Sequence, residues 1–150
     1  MGNLTRDQSM VRMYMNHSLS GIDDGLSELE GNLKNWVAHP AQRGAWKRVA
    51  EHLTGLRWLL EQHFGKLSGE GLLENVTYTH PDRYPELRSI EIGQNRIVDH
   101  LDSLILSVET LELATDELDW IAIEFRDLKQ EIAGVESMEL AFLDRQEDRP

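Results

Sequence analysis

Residues 46–67, WKRVAEHLTGLRWLLEQHFGKL, decide the fold. Trp46, Val49, Leu53, Leu56, Leu60, His63 and Leu67 follow one another at alternating steps of three and four, so all of them share one face of an α-helix. Every member is apolar except His63. The same rhythm returns near the end of the chain in Leu118, Ile121, Phe125, Leu128, Ile132, Val135, Glu139 and Phe142, where the exception is Glu139. Burying an ionisable group without a partner costs several kcal/mol, on the order of what holds a small domain folded. The functional question is therefore what a histidine and a glutamate do in stripes that must face the core.

Outward from this stretch, the pattern predicts three further helices. The first runs from about Thr5 to Trp36 with Val11, Met15, Leu19, Ile22, Leu26, Leu29 and Leu33 as its stripe. Pro40 and Gly44 in VAHPAQRG end it and permit a turn into the second helix, about Ala45 to Leu67, which stops in SGEG. LLENVTYTHPDRYPEL, with Pro81 and Pro85, reads as an irregular connection. The third helix starts near Pro85, suited to a first turn, and continues through Ile90, Ile97, Leu101, Leu104, Val108 and Leu111. Acidic ETLELATDELD leads to the fourth, about Glu117 to Leu143, and the tail DRQEDRP is expected to fray. Amphipathic helices joined by short or moderate connections imply an all-α fold, an antiparallel up-down-up-down four-helix bundle formed as a single domain over residues 1–150.

Composition narrows the function. Hydrophobic residues at 40% and charged residues at 28% match a globular domain with a real core. The chain has no cysteine, which excludes disulfides, thiolate nucleophiles and cysteine-based metal sites. A formal charge of -12 repels phosphate backbones and anionic lipid, so neither nucleic acid nor a membrane is expected as a partner. The polar start MGNLTRDQSM does not read as a signal peptide, and no apolar run reaches the roughly 18 residues of a membrane span. A cytoplasmic location is the expectation.

The run HFGKLSGEGLLEN, followed by YPEL and then IVDHLDSL, resembles the hemerythrin-like (HHE cation-binding) family, and VESMELAFL resembles that family's helix 4 segment. The resemblance implies a non-haem di-iron centre that binds or senses oxygen, with ligands on successive turns of facing helices. Residue by residue, His63 matches the helix 2 histidine, Glu139 the bridging glutamate of helix 4, and His100 the helix 3 histidine, with Asp99 before it. On helix 1 the family expects a histidine, and His17 is the nearest, although it lies opposite the stripe that holds Met15.

Two departures from the family pattern matter: the glutamate expected after His63 is Leu67, and the histidine expected before Glu139 is Val135. The remaining set of His63, Glu139, His100 and His17 is a remnant too small for an ordinary di-iron centre. The primary expectation is therefore a metal-free, non-catalytic protein with a binding or structural role and no cofactor. The alternative is a mononuclear site holding one Fe, Mn or Zn ion through His63, Glu139 and one or both of the other histidines, with an oxygen- or redox-sensing role. Glu70 replaces the missing carboxylate only if the second helix continues through Gly69. His39, His52 and His80 read as surface residues. Trp58, and the group Met10, Met13, Tyr14 and His17, lie off the main stripes, where a protein partner or a second copy of the chain would find them.

Overall fold

The computed structural model describes residues 6–42, 44–69, 73–110 and 115–147, with side chains for 13–42, 44–67, 73, 77–110 and 118–143. The fold is all-α, with no strand among the described residues. α1 (Arg6–Ala38) ends before Pro40, where His39 N–H still reaches back to Asn35 O at 3.0 Å. Gly44 then adopts φ +80°, a left-handed conformation that glycine takes without steric cost, and turns the chain into α2 (Ala45–Phe64). The helix widens into a π-helical turn over Gly65–Gly69. Leu73 folds back so that its N–H reaches Leu67 O at 2.9 Å, and both side chains are fully buried.

The connection read as irregular contains a short helix, α3 (Glu74–Thr79), and a 3₁₀ turn over Pro81–Arg83. Six residues of modest helix propensity carry too little periodicity to be read from sequence. α4 (Tyr84–Thr110) takes Pro85 in its first turn, and α5 (Thr115–Glu147) extends four residues beyond Leu143, while the rest of the tail expected to fray, residues 148–150, lies outside the described residues. Glu70 and Leu111, and the side chains of Met10 and Val11, lie outside the described residues. No helix among the described residues is long and apolar enough to cross a membrane.

α1 packs on α2, α2 on α4 and α4 on α5, and α5 returns to α1 through a sparser contact. The stripes enclose two apolar clusters. The larger contains Ile22, Leu60, Ile97 and Val135; the smaller contains Met15, Leu67, Ile90 and Phe142. The expected stripe of α2 needs one correction. Trp46 is 38% exposed, and Ala45, one turn before Val49, takes the inward position on the first turn.

Arg83, 1% exposed, anchors the smaller cluster. Its Nη2 donates to Phe142 O at 2.7 Å and to Glu86 Oε2 at 3.2 Å, while the guanidinium lies 4.1 Å from the centre of the Phe142 ring. A cation over an aromatic face and a hydrogen bond to the Phe142 carbonyl both offset its desolvation. The 3₁₀ turn is thereby tied to the far end of α5.

α4 and α5 come close together at a glycine, since a Cβ on Gly93 would sit 2.6 Å from Val135 Cγ2. Valine is stiff and cannot swing away cheaply. Gly93→Ala should therefore lose stability by about 1–3 kcal/mol from overpacking, partly offset by about 1 kcal/mol of better helix propensity. Gly134→Ala, whose Cβ would meet nothing within 4 Å, should gain up to about 1 kcal/mol. Urea unfolding compares the two, and Val135→Ala should recover part of the Gly93→Ala loss. Equal effects at the two glycines would contradict the close approach.

Candidate functional site

Between the two apolar clusters, each long helix contributes one polar side chain to a common layer. On α2, His63 lies between Leu60 and Leu67; on α5, Glu139 lies between Val135 and Phe142. Both are fully buried. Their side chains meet, with His63 Nε2 3.0 Å from Glu139 Oε1. A carboxylate accepts only, so Nε2 carries the proton and donates.

Gln94 of α4, 5% exposed, supplies a second donor, its Nε2 lying 3.3 Å from Glu139 Oε2. Ser18 of α1 completes the layer, with Oγ 2.7 Å from His63 Nδ1. A hydroxyl both donates and accepts, so Ser18 satisfies Nδ1 whether the ring is neutral or charged. Tyr14, one turn earlier on α1, lies parallel to the His63 ring with centroids 6.3 Å apart and planes 10° apart. Both nitrogens of His63 and both oxygens of Glu139 are thus engaged by protein groups.

Sequence reasoning placed His63 and Glu139 in the core, and the structure brings them together. It does not bring the other two candidates to them. The His17 side chain is exposed on α1. His100 lies six residues beyond Gln94, about 9 Å along α4 at 1.5 Å per residue. Its Nδ1 is 3.0 Å from Glu131 Oε1 and its Nε2 2.6 Å from Glu124 Oε2, so its ring bridges two carboxylates of α5 near the surface. The ring nitrogens point in opposite directions, and these three groups do not converge on one ion. Among the described residues, no three His, Asp or Glu side chains are arranged to hold a metal ion.

Leu67 and Val135, at 0% and 5% exposure, occupy the positions where the family pattern would put further ligands. The donor set present therefore does not fit a di-iron centre. It does not fit the expected mononuclear set either, because His17 and His100 lie elsewhere.

Gln94 and Ser18 were missed in the sequence. Gln94 left a signal, since the α4 stripe steps from Ile90 to Ile97 with an inward position unfilled by an apolar residue. Ser18 left a fainter one: it falls between Met15 and Ile22 at steps of three and four, but adjacent Leu19 claimed that face. Tyr14, grouped with outward-facing Met13 and His17, is half-buried against His63, while Met13 is 72% exposed.

Glu136 lies beside the layer on α5. Its Oε1 is buried with no hydrogen-bond partner. Burial, helped by the nearby charges of Asp23 and Glu139 and opposed by His63, pushes its carboxyl up to about 7. No family model, curated protein or solved structure matches this chain.

A carboxyl whose folded pKa is raised binds more protons folded than unfolded between its two pKa values, so stability falls as pH rises through that window. For Glu136 the window runs from the ordinary 4.5 to about 7. Because this side chain is partly solvated, the effect should be about 1 kcal/mol rather than the ~3 kcal/mol of an unscreened shift. Glu136→Gln should flatten the fall in stability between pH 5 and 8 and leave the protein more stable than wild type at pH 8. Chemical unfolding at a series of pH values measures this, and an unchanged slope would rule out the assignment.

Proposed function

We propose that this chain is a hemerythrin-like, antiparallel up-down-up-down four-helix bundle whose metal cage has been closed by hydrogen bonds and hydrocarbon. It serves as a metal-free, non-catalytic binding or structural module. The observation that carries the proposal is the complete engagement of His63 and Glu139 within the layer, with every nitrogen and carboxylate oxygen of the pair facing a protein partner. A metal would have to displace three hydrogen bonds and would find Leu67 and Val135 where further donors are needed. Helix direction supports the bundle. Along the chain, α1 and α4 pass from the smaller cluster to the larger, whereas α2 and α5 pass from the larger to the smaller.

Ser18, His63 and Glu139 share the connectivity of a hydrolase relay. Their burial argues for structure instead, because a substrate cannot reach a ring and a carboxylate that have no solvent exposure. A binding role falls to the surface, where Trp58 at 60% and Leu106 at 61% exposure offer apolar area to a protein partner or a second copy of the chain.

Elemental analysis of protein purified without chelator, combined with thermal unfolding in Fe(II), Mn(II) or Zn(II), tests this reading. The metal content should be far below one ion per chain, and the unfolding temperature should not respond to added metal. A site filled at about 100 times its Kd would add about 2.7 kcal/mol of stability. Stoichiometric metal that disappears in a Glu139→Leu variant would establish the mononuclear oxygen- or redox-sensing alternative instead.

A further inference from the structure

A groove of about 650 Å3 runs between the C-terminal half of α1 and the middle of α5, away from the polar layer. Leu33, Val37, Ala122 and Phe125 form its apolar floor. Lys34, Arg126 and Lys129 line the same groove against a single carboxylate, Glu30. In a chain with 27 acidic and 15 basic residues, this local excess of cations reverses the overall sign.

The cations are not equally free to meet a ligand. Lys129 Nζ donates to Glu30 Oε2 at 3.1 Å, and Lys34 Nζ lies 3.9 Å from Glu30 Oε1. The Lys129 hydrogen bond and charge hold the Glu30 carboxyl below its ordinary range. Glu30 therefore stands where an external carboxylate would compete for the same two ammonium groups. Arg126 is exposed and makes no ion pair among the described residues.

We propose that this groove binds a medium-chain carboxylic acid, with its hydrocarbon tail over Leu33, Val37, Ala122 and Phe125 and its carboxylate against Arg126 and Lys34. Arg126 lies about 6 Å along α5 from Ala122, so with the carboxylate held there the apolar floor covers about the first four or five carbons of the tail and the remainder extends past Ala122 at the open end of the groove. A neutral amphiphile leaves Arg126 without a counterion. A polyanion meets Glu30 and the field of a chain whose net charge is -12. One negative charge on an apolar tail suits both constraints, and an arginine fork pairs well with a carboxylate.

Calorimetric titration of the full chain with decanoate below its micellar concentration, alongside decanol, tests the assignment. Amide NMR shifts should locate decanoate at Val37, Ala38 and Ala122, with decanol binding about tenfold more weakly or worse. Arg126→Glu combined with Lys34→Glu should weaken decanoate at least about tenfold. Glu30→Gln should strengthen it severalfold by releasing both lysines, a change in a direction that misfolding cannot imitate. No saturable decanoate binding, equal binding of decanol, or weaker binding in Glu30→Gln would each overturn the proposal.

Discussion

The hydrogen bond between His63 and Glu139 is the constraint on which the arrangement of helices depends. Two groups with no access to water must find each other or lose several kcal/mol, and here they meet at 3.0 Å across α2 and α5. Their remaining capacity fixes the other two long helices, because Gln94 must bring α4 to Glu139 and Ser18 must bring α1 to His63. A slip of one residue in any helix would rotate its polar member out of the layer and leave another unpaired. The apolar clusters on either side provide most of the favourable burial but are tolerant of register, since leucine packs on leucine in many ways. The layer is not tolerant in this way.

Such a layer adds little net stability. Desolvating an imidazole and a carboxylate costs about as much as their interaction returns, and a well-packed hydrocarbon replacement is often no worse. Its contribution is to specify one packing, as single polar residues do in coiled-coil cores. The imidazole lies between the Ser18 hydroxyl and the Glu139 carboxylate, and buried Leu67 and Val135 beside it contribute only volume. Glu136 shows the contrast, since its buried Oε1 lacks a partner and its carboxyl is pushed towards neutrality.

Much of this was legible in the sequence, because steps of three and four mark a buried face whatever the tertiary packing. The long helices and the burial of His63 and Glu139 followed from that periodicity, and the turn at Gly44 from the breakers Pro40 and Gly44. The residues that answer them did not. Glutamine and serine appear routinely on solvated faces, so Gln94 and Ser18 carried no alarm comparable to a histidine inside a leucine stripe. His100 drew attention by residue type and by the family pattern, but Glu124 and Glu131 hold it at the α4–α5 surface. Arg83, between Pro81 and Pro85, looked like part of a polar loop. Only the tertiary fold, which lays Phe142 beneath its guanidinium, shows why it is buried.

The central claim is that His63 and Glu139 are each other's reason for being buried. A double-mutant cycle with His63→Leu, Glu139→Leu and the pair together, measured by urea unfolding at neutral pH, tests it most directly. Each single variant leaves a buried polar group without its partner and should lose about 2–4 kcal/mol, while the double variant should lose much less than the sum. Single losses that simply add would show two side chains buried independently, and the layer would no longer explain the packing of the four long helices.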